Sequence, residues 1–255
     1  MRGHVASSSI RVVDRDQIAR LEPGLVNPPP AAVLAEDDGS VDPVALTTSL
    51  VRGAERLGAD VSGATEAREV LVSGGRVNGL RTSRGTIDVD TVVLAAGTGT
   101  SLLARTAGFV IPVGSSPCIL LRFSTPRRLI DRIVSGPDFE LRQATDTLLL
   151  AAEDYIDGSR EHGPAALAER ALAVIRREIV GGQDIVLDSV SVGFRPMPGD
   201  ERPIVGDIVG ADGLYVVSAH AAVALAAGLG RLAAEEIIHG YELDVLASFR
   251  PSRFA

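Results

Sequence analysis

The spacing of apolar residues along the chain predicts both helices and strands. Residues 164–180 place Leu167, Ala171 and Ile175 at helical spacing, which predicts an amphipathic helix with these side chains inward. Residues 186–194 alternate between apolar and other side chains, as in a strand with one buried face. Residues 92–96, Val-Val-Leu-Ala-Ala, form an unbroken apolar run, which is typical of a buried strand in a parallel sheet.

Two more segments predict helices. Asp42-Pro43 is suited to begin a helix, because aspartate caps the first turn and proline fits the first helical position. Leu46, Leu50, Ala54 and Leu57 then share one face, and Gly58 ends the helix. Residues 214–217 predict a short buried strand that leads into an alanine-rich helix at 221–238.

The order of these elements predicts a mixed α/β fold. Residues 70–81 predict a hairpin that turns at Ser73-Gly74-Gly75, and residues 119–123, 139–142 and 148–152 predict strands. Helices therefore follow strands at 42–108 and 214–238, with antiparallel strands between them. We expect an α/β cofactor-binding layer interrupted by an antiparallel substrate layer.

Composition narrows the classes of function. The net charge of −8 argues against nucleic acid and anionic membranes as partners. All 25 basic residues other than histidine are arginine, so Schiff-base chemistry through a lysine is excluded. The single Cys118 is expected to be a buried apolar residue, and the four histidines form no cluster that predicts a metal site. No signal peptide and no membrane-spanning run is recognisable, so we expect a cytoplasmic protein.

Three segments are candidates for binding a ligand. The first is residues 92–100, where a buried strand runs into Gly97-Thr98-Gly99. Glycine allows a ligand to approach the backbone, and a following helix N-terminus favours phosphate. Leu102 occupies the third position of a dinucleotide fingerprint, which disfavours a nicotinamide site. A tight turn without a ligand is an equally good interpretation.

The second candidate is Arg195, which stands at a strand end before Pro196. An arginine fixed there presents a fork that fits a carboxylate. By alternation it shares a strand face with Ser191 and Gly193. A surface arginine paired with Asp200 or Glu201 is the alternative, and residue chemistry alone favours that alternative.

The third candidate is the strand-to-helix junction at residues 213–225. Its side chains after Ser218 are small, so a flat ligand could lie against backbone amides, and the helix dipole would stabilise negative charge there. His220 could contact such a ligand or cap the helix. Tight packing of the helix on the sheet also explains the alanines.

Taken in order, several motifs resemble the D-amino-acid oxidase and glycine oxidase family of flavoproteins. They are Asp38-Gly39-Ser40-Val41-Asp42-Pro43, the run from Thr91 to Gly97, Gly193-Phe194-Arg195-Pro196 with Arg202 to Gly206, and the helix from Gly230 to Ile237. The resemblance covers nearly the whole chain. It implies an FAD-dependent oxidoreductase that removes hydride from a carbon bearing an amine, in an amino acid or related amine.

The resemblance also implies roles for particular residues. Arg195 would bind the substrate carboxylate, with His220 and Phe139 as further substrate contacts. FAD, held non-covalently, would be contacted at residues that the family uses for its adenine side and its ring. These are Ala67, Ala96, Gly97, Ser218, Ala219, Ala221, Ala222, Val223 and Ala224. Residues 1–108 and 186–255 would form the FAD-binding domain, and residues 109–185 the antiparallel substrate or cap domain.

This sequence departs from the family at several positions. No Gly-x-Gly-x-x-Gly occurs before Asp38, so we expect an incomplete Rossmann-like layer with its ADP-binding unit supplied by an N-terminal segment or a partner chain. An exposed apolar surface is then expected around residues 92–96 and the helix at 221–238. Ala222 replaces a glycine and Phe139 a tyrosine. A flavin-free structural or partner-binding remnant of the same fold is the alternative interpretation.

Overall fold

The computed structural model describes residues 9–137, 139–154 and 163–254, which divide between two compact units. The first unit comprises residues 1–47 and 117–193, and the second comprises residues 48–116 and 194–255. The helices are α1 (Arg15–Leu21), α2 (Pro43–Arg56), α3 (Thr100–Thr106), α4 (Pro164–Glu178) and α5 (Ala222–His239). The strands are β1 (Ile10–Asp14), β2 (Ala31–Ala35), β3 (Ala67–Ser73), β4 (Arg76–Thr82), β5 (Gly85–Ile87), β6 (Val92–Leu94), β7 (Val113–Ser124), β8 (Val134–Gly136), β9 (Phe139–Thr145), β10 (Leu148–Asp154), β11 (Val186–Pro198), β12 (Ile204–Asp207) and β13 (Leu214–Ser218).

The first unit is built on an antiparallel sheet with one buried face. Its strand order is β11-β7-β10-β9-β8, and α4 covers one side. Alternate residues of the central strands, such as Ile119, Leu141 and Leu149, pack there against Ala168 and Ile175 of α4. A separate two-stranded antiparallel sheet of β1 and β2 precedes this sheet in sequence, with α1 between the two strands.

A buried carboxylate joins the N-terminal residues of this unit to the segment between β7 and β8. Glu22 follows α1 and accepts hydrogen bonds from the backbone nitrogens of Asp131 and Arg132, both at 2.9 Å. Leaving such a buried group unpaired would cost free energy, so the contact holds residues more than a hundred positions apart together. The compact units thus differ from the predicted ranges, which grouped residues 1–47 with the cofactor layer. The functional assignment of either range remains a prediction.

The second unit contains two small sheets around a shared core. One has the order β12-β13-β6, in which β13 and β6 are parallel and β12 is antiparallel to β13. The other is the antiparallel meander β3-β4-β5. Leu94, Val216 and Val70 pack with Leu103 of α3 between the two sheets.

Local signals explain several element ends. Asp42 accepts hydrogen bonds from the backbone nitrogens of Val44 and Ala45, at 2.9 and 3.0 Å, and so caps α2 as predicted. The predicted hairpin turn is confirmed, because Gly74 and Gly75 adopt φ of +60° and +77° between β3 and β4. The mixed α/β fold class is also confirmed.

The expected exposed apolar surface is present in the second unit. Val93 in β6 is 44% exposed, and α5 buries only Ala233 and Glu236 among its residues. β6 pairs with β13 alone, so its other edge is open in the described structure. The apolar face predicted for α2 is exposed as well, since that helix has no buried residue. Amphipathic spacing therefore predicted these helices correctly without identifying what covers them.

Candidate functional site

Parallel pairing brings two of the candidate segments to one edge of a sheet. Leu94 of β6 is opposite Val216 of β13, so Ala96 and Ser218 leave the two strands at the same level. Each strand is followed by a helix, α3 after β6 and α5 after β13. Ligands in open α/β sheets bind at the carboxyl ends of parallel strands. The structure therefore unites Ala96 and Gly97 with the predicted segment from Ser218 to Ala224.

The turn after β6 leaves both backbone space and a buried hydroxyl. Gly97 has a φ of +56°, and a Cβ added there would meet no atom within 4 Å. Residues 97–99 form a short 3₁₀ turn that leads directly into α3. Thr100 at the start of α3 is fully buried, yet its Oγ1 has no hydrogen-bond partner in the described structure. The turn thus offers an approach to the backbone beside an unsatisfied polar atom.

The turn after β13 likewise combines a buried hydroxyl with an accessible backbone. Ser218 is 4% exposed, and its Oγ has no partner among the described residues. No side chain caps the start of α5 at Ala221, and residues 220–224 are exposed. Uncapped backbone N–H groups at a helix start need acceptors from water or a ligand. The small side chains predicted to face a flavin are therefore accessible.

His220 and Ala67 complete the second-unit residues predicted from sequence. His220 is exposed immediately before α5, at the edge where the two strands end. Ala67 begins β3 in the other sheet, where it pairs with Thr82 and packs against the shared core. The described contacts do not place Ala67 beside the other predicted cofactor residues.

Arg195 is held by a serine on a neighbouring strand of the second unit. Its Nη2 donates a hydrogen bond to Ser116 Oγ at 3.1 Å, and the side chain is half-buried. Asp200, one of the acids proposed as an alternative partner, instead accepts from Arg253 at 2.8 Å on each of its oxygens. The hydrogen bond from Arg253 holds the pKa of Asp200 well below its usual range. The hydroxyl of Ser116 is thus one group that orients the guanidinium of Arg195.

Phe139 is the one predicted site residue in the first unit. It begins β9, packs against the core under α4, and lines a cavity of about 320 Å³. The cavity wall is mainly apolar and includes Val13, Ile18 and Val134. The residue shares its strand face with the buried Leu141, so its side chain lies on the core side of the sheet. Its role as a substrate contact stays a prediction.

A buried charged network anchors α5, and no pattern in the sequence predicted it. Glu236 accepts hydrogen bonds from Tyr215 Oη at 2.6 Å, from Arg250 Nη1 at 2.7 Å and from Leu243 N at 2.6 Å, and it also accepts from Arg250 Nη2. Burial opposes ionisation of Glu236, but these donors outweigh it and lower its pKa to about 2. Burial and the Glu236 charge raise the pKa of nearby Asp207. The network fixes the helix whose first turn forms the candidate site.

The chain matches the family described as FAD dependent oxidoreductase, the DAO family, over residues 2–236. It therefore belongs to that family, as the motifs predicted. Among the described residues no helix is long and apolar enough to cross a membrane, and no group of side chains is arranged to hold a metal ion.

Relatives and solved structures agree with this family. A D-amino acid dehydrogenase of Allorhizobium ampelinum is 27% identical over 96% of this chain and 60% of its own length. The fold resembles L-amino acid deaminase from Proteus myxofaciens (TM-score 0.85, 19% identity, 100% of this chain and 70% of that chain). It also resembles glycine oxidase from Geobacillus kaustophilus (TM-score 0.83, 20% identity, 97% of this chain and 68% of that chain). The chain spans about three fifths of the D-amino acid dehydrogenases that it matches.

Proposed function

We propose that this protein is an FAD-dependent oxidoreductase that oxidises an amino acid or a related amine. The observation that carries the proposal is the shared edge of β6 and β13. There the buried hydroxyls of Thr100 and Ser218 have no hydrogen-bond partner among the described residues, and they lie beside an uncapped helix start. Family membership and the D-amino acid dehydrogenase relatives support the same class of reaction.

The residues at this edge fit a flavin. The open space at Gly97 admits a ligand against the backbone, and the first turn of α5 carries only alanine and valine side chains. Backbone N–H groups from Ala222 to Ala224 would donate to the electron-rich edge of the ring, where the helix dipole favours negative charge. When bound, FAD supplies the acceptor for the hydride.

Arg195 would hold the substrate by its carboxylate. A guanidinium donates two parallel hydrogen bonds to a carboxylate, which fixes the direction of the substrate as well as its position. Ser116 restricts the guanidinium before substrate arrives, because its Oγ already accepts from Nη2. His220 and Phe139 are proposed as further substrate contacts, and no residue is assigned as a catalytic base.

The ADP half of the cofactor needs contacts that these 255 residues do not supply as a Gly-x-Gly-x-x-Gly motif. We propose that an N-terminal segment or a partner chain provides them and covers the exposed apolar residues of β6 and α5. That exposed surface equally suits the second candidate, a flavin-free module that binds a partner. A cytoplasmic location is proposed because the single cysteine needs no oxidising compartment.

Titration with FAD followed by anaerobic addition of amino acids tests the proposal. FAD is added in excess of its measured Kd, and a panel of D- and L-amino acids and N-methyl amines is screened for bleaching of the flavin band. With the ADP-binding segment or partner chain supplied, bleaching by one member of the panel is expected, together with its loss in Arg195→Ala; the 255-residue chain alone is expected to be inactive. Saturation with FAD without bleaching by any member of the panel would contradict the proposed oxidoreductase activity. No detectable FAD binding would favour the alternative, a module that binds a partner.

A further inference from the structure

A short loop connects the strand that carries Arg195 to the edge of β6 and β13 where the flavin is proposed to bind, the flavin edge. β11 ends at Pro198, and β12 begins at Ile204. Ile204 is paired with Ser218, the last residue of β13, so the loop of residues 199–203 arrives at the flavin edge. A shift of this loop is therefore passed to Arg195 on one side and to the flavin edge on the other.

Apolar packing does not hold this loop in place. Residues 199–203 are all exposed or half-buried. Glu201 adopts a φ of +63°, a backbone conformation that residues other than glycine rarely take. Such a conformation persists only where the surrounding contacts over-determine it. The restraint on the loop therefore comes from its polar contacts.

Arg253 supplies most of these contacts from a short 3₁₀ helix at residues 251–254. Its Nε and Nη2 donate to the two carboxylate oxygens of Asp200, each at 2.8 Å, and Nη2 also donates to the backbone oxygen of Arg202 at 3.2 Å. Its Nη1 donates to two backbone oxygens of the preceding residues, at 2.6 and 3.1 Å. The side chain is only 15% exposed. A planar guanidinium engaged through all three nitrogens has one orientation, so Arg253 holds the loop in a fixed position.

The same C-terminal segment is bound to the helix that follows β13. Arg250 lies three residues before Arg253 and donates to Glu236 of α5 through Nη1 at 2.7 Å. The first turn of α5 is where the flavin ring is proposed to lie. Two arginines of one segment thus join the loop next to Arg195 to the helix at the flavin edge, and all of these residues belong to the second unit.

We propose that Asp200 and Arg253 form a clamp that positions Arg195 relative to the flavin edge. The inference rests on the proposed function, in which Arg195 holds the substrate carboxylate. Hydride transfer needs the reacting carbon at a fixed distance from the acceptor, so the place of the carboxylate anchor matters. Ser116 restrains the Arg195 guanidinium directly, whereas the clamp restrains the backbone beside it. Asp200 and Arg253 are therefore positioning residues that need not touch the substrate.

Steady-state kinetics of the FAD-loaded protein, with the ADP-binding unit supplied, test the clamp. Losing a bidentate anchor altogether is worth about ten- to a hundredfold, so misplacing it in Asp200→Asn or Arg253→Gln should raise KM by about three- to tenfold and change kcat by less than about twofold. The double variant should raise KM no further than either single variant, because all three lose the same clamp. An unchanged KM in the single variants, or effects that add in the double variant, would overturn the proposal.

Arg76→Gln is the matched control for these variants. Arg76 also pairs with an aspartate of the second unit, Asp212 at 3.0 Å, but both side chains are exposed. Asp212 precedes β13, so this pair lies at the end of the strand opposite Ser218. Arg76→Gln should leave KM unchanged, and a rise equal to that of Arg253→Gln would also overturn the clamp.

Chemical modification of the FAD-free chain measures the restraint on Arg195 without turnover. Phenylglyoxal modifies arginine, and cleavage after acidic residues releases residues 189–200, whose single arginine is Arg195. Arg253→Gln should speed modification of Arg195 by about fivefold, the equivalent of one lost hydrogen bond, and Arg76→Gln should not. Asp200→Asn, whose peptide ends at Glu201 instead, gives the same comparison if Arg253→Gln does not fold. Rates equal to that of the wild type would overturn the clamp.

The two measurements separate the clamp from the proposed function. If no amino acid is oxidised, the proposed function fails, and the modification rates still decide whether the clamp restrains Arg195. An active flavoenzyme in which neither KM nor the modification rate responds to Arg253→Gln would refute the clamp alone.

Discussion

Replacing Glu236 with glutamine should destabilise the second unit by about 3–5 kcal/mol at neutral pH, because it removes one partner of a buried ion pair. The Glu236 side chain is 3% exposed and that of Arg250 is 11% exposed, so little water can compensate the arginine that remains. The amide also loses acceptor strength toward Tyr215 Oη and Leu243 N, which both donate to the carboxylate.

The pKa of Glu236 gives a second route to the same magnitude. The folded value is about 2 against an ordinary value of 4.5, a gap of about 2.5 pH units. At about 1.4 kcal/mol per unit, the gap corresponds to about 3 kcal/mol. Because the folded pKa is the lower one, this stability is present above pH 4.5 and is lost as the pH falls toward 2.

Urea unfolding followed by circular dichroism, with hydrogen exchange of the α5 amides, measures the effect in the relevant unit. Glu235→Gln is the matched control, since Glu235 is the adjacent acid and bonds to Tyr241 Oη at 2.8 Å on the surface. It should change the unfolding free energy by less than about 1 kcal/mol. The difference between wild type and Glu236→Gln should shrink between pH 4.5 and 2. A Glu236→Gln variant as stable as the Glu235→Gln control, or a deficit that does not change with pH, would refute this reasoning.

Three further predictions concern the candidate site and its surroundings. Arg195→Ala should raise the KM for amino-acid substrates by about ten- to a hundredfold, as expected for a lost bidentate charged contact, and normal turnover in steady-state assays would remove Arg195 from the site. Ser116→Ala should raise KM less than Arg195→Ala does and should leave kcat nearly unchanged, and Ser116→Thr should restore KM. Equal KM values in the wild type, Ser116→Ala and Ser116→Thr would show that the serine does not position Arg195. The 255-residue chain purified alone should lose FAD during gel filtration, and light scattering should show that it self-associates through β6 and α5. A monomer that keeps one FAD per chain would contradict both expectations.

Local sequence determined most of the secondary structure. Asp42-Pro43 began α2, Gly74-Gly75 closed the β3–β4 hairpin, and the apolar run at 92–96 produced β6. These features depend on residues that are neighbours in sequence, so their spacing and backbone preferences can be read from the sequence. Motif order in addition identified the family, and it predicted site roles for Arg195 and for the junction after Ser218.

Only the tertiary structure decided how distant residues meet. Ser116 and Arg195 are 79 positions apart, and neither position carries a periodic signal that would pair them. Glu236 and Arg250 look like ordinary surface residues in sequence, yet they form a buried pair because α5 and the C-terminal segment fold against β13. The contact of Glu22 with Asp131 and Arg132 likewise placed the N-terminal residues in the first unit. Such contacts depend on which polar groups are buried together, and the packing of the whole chain decides which groups those are.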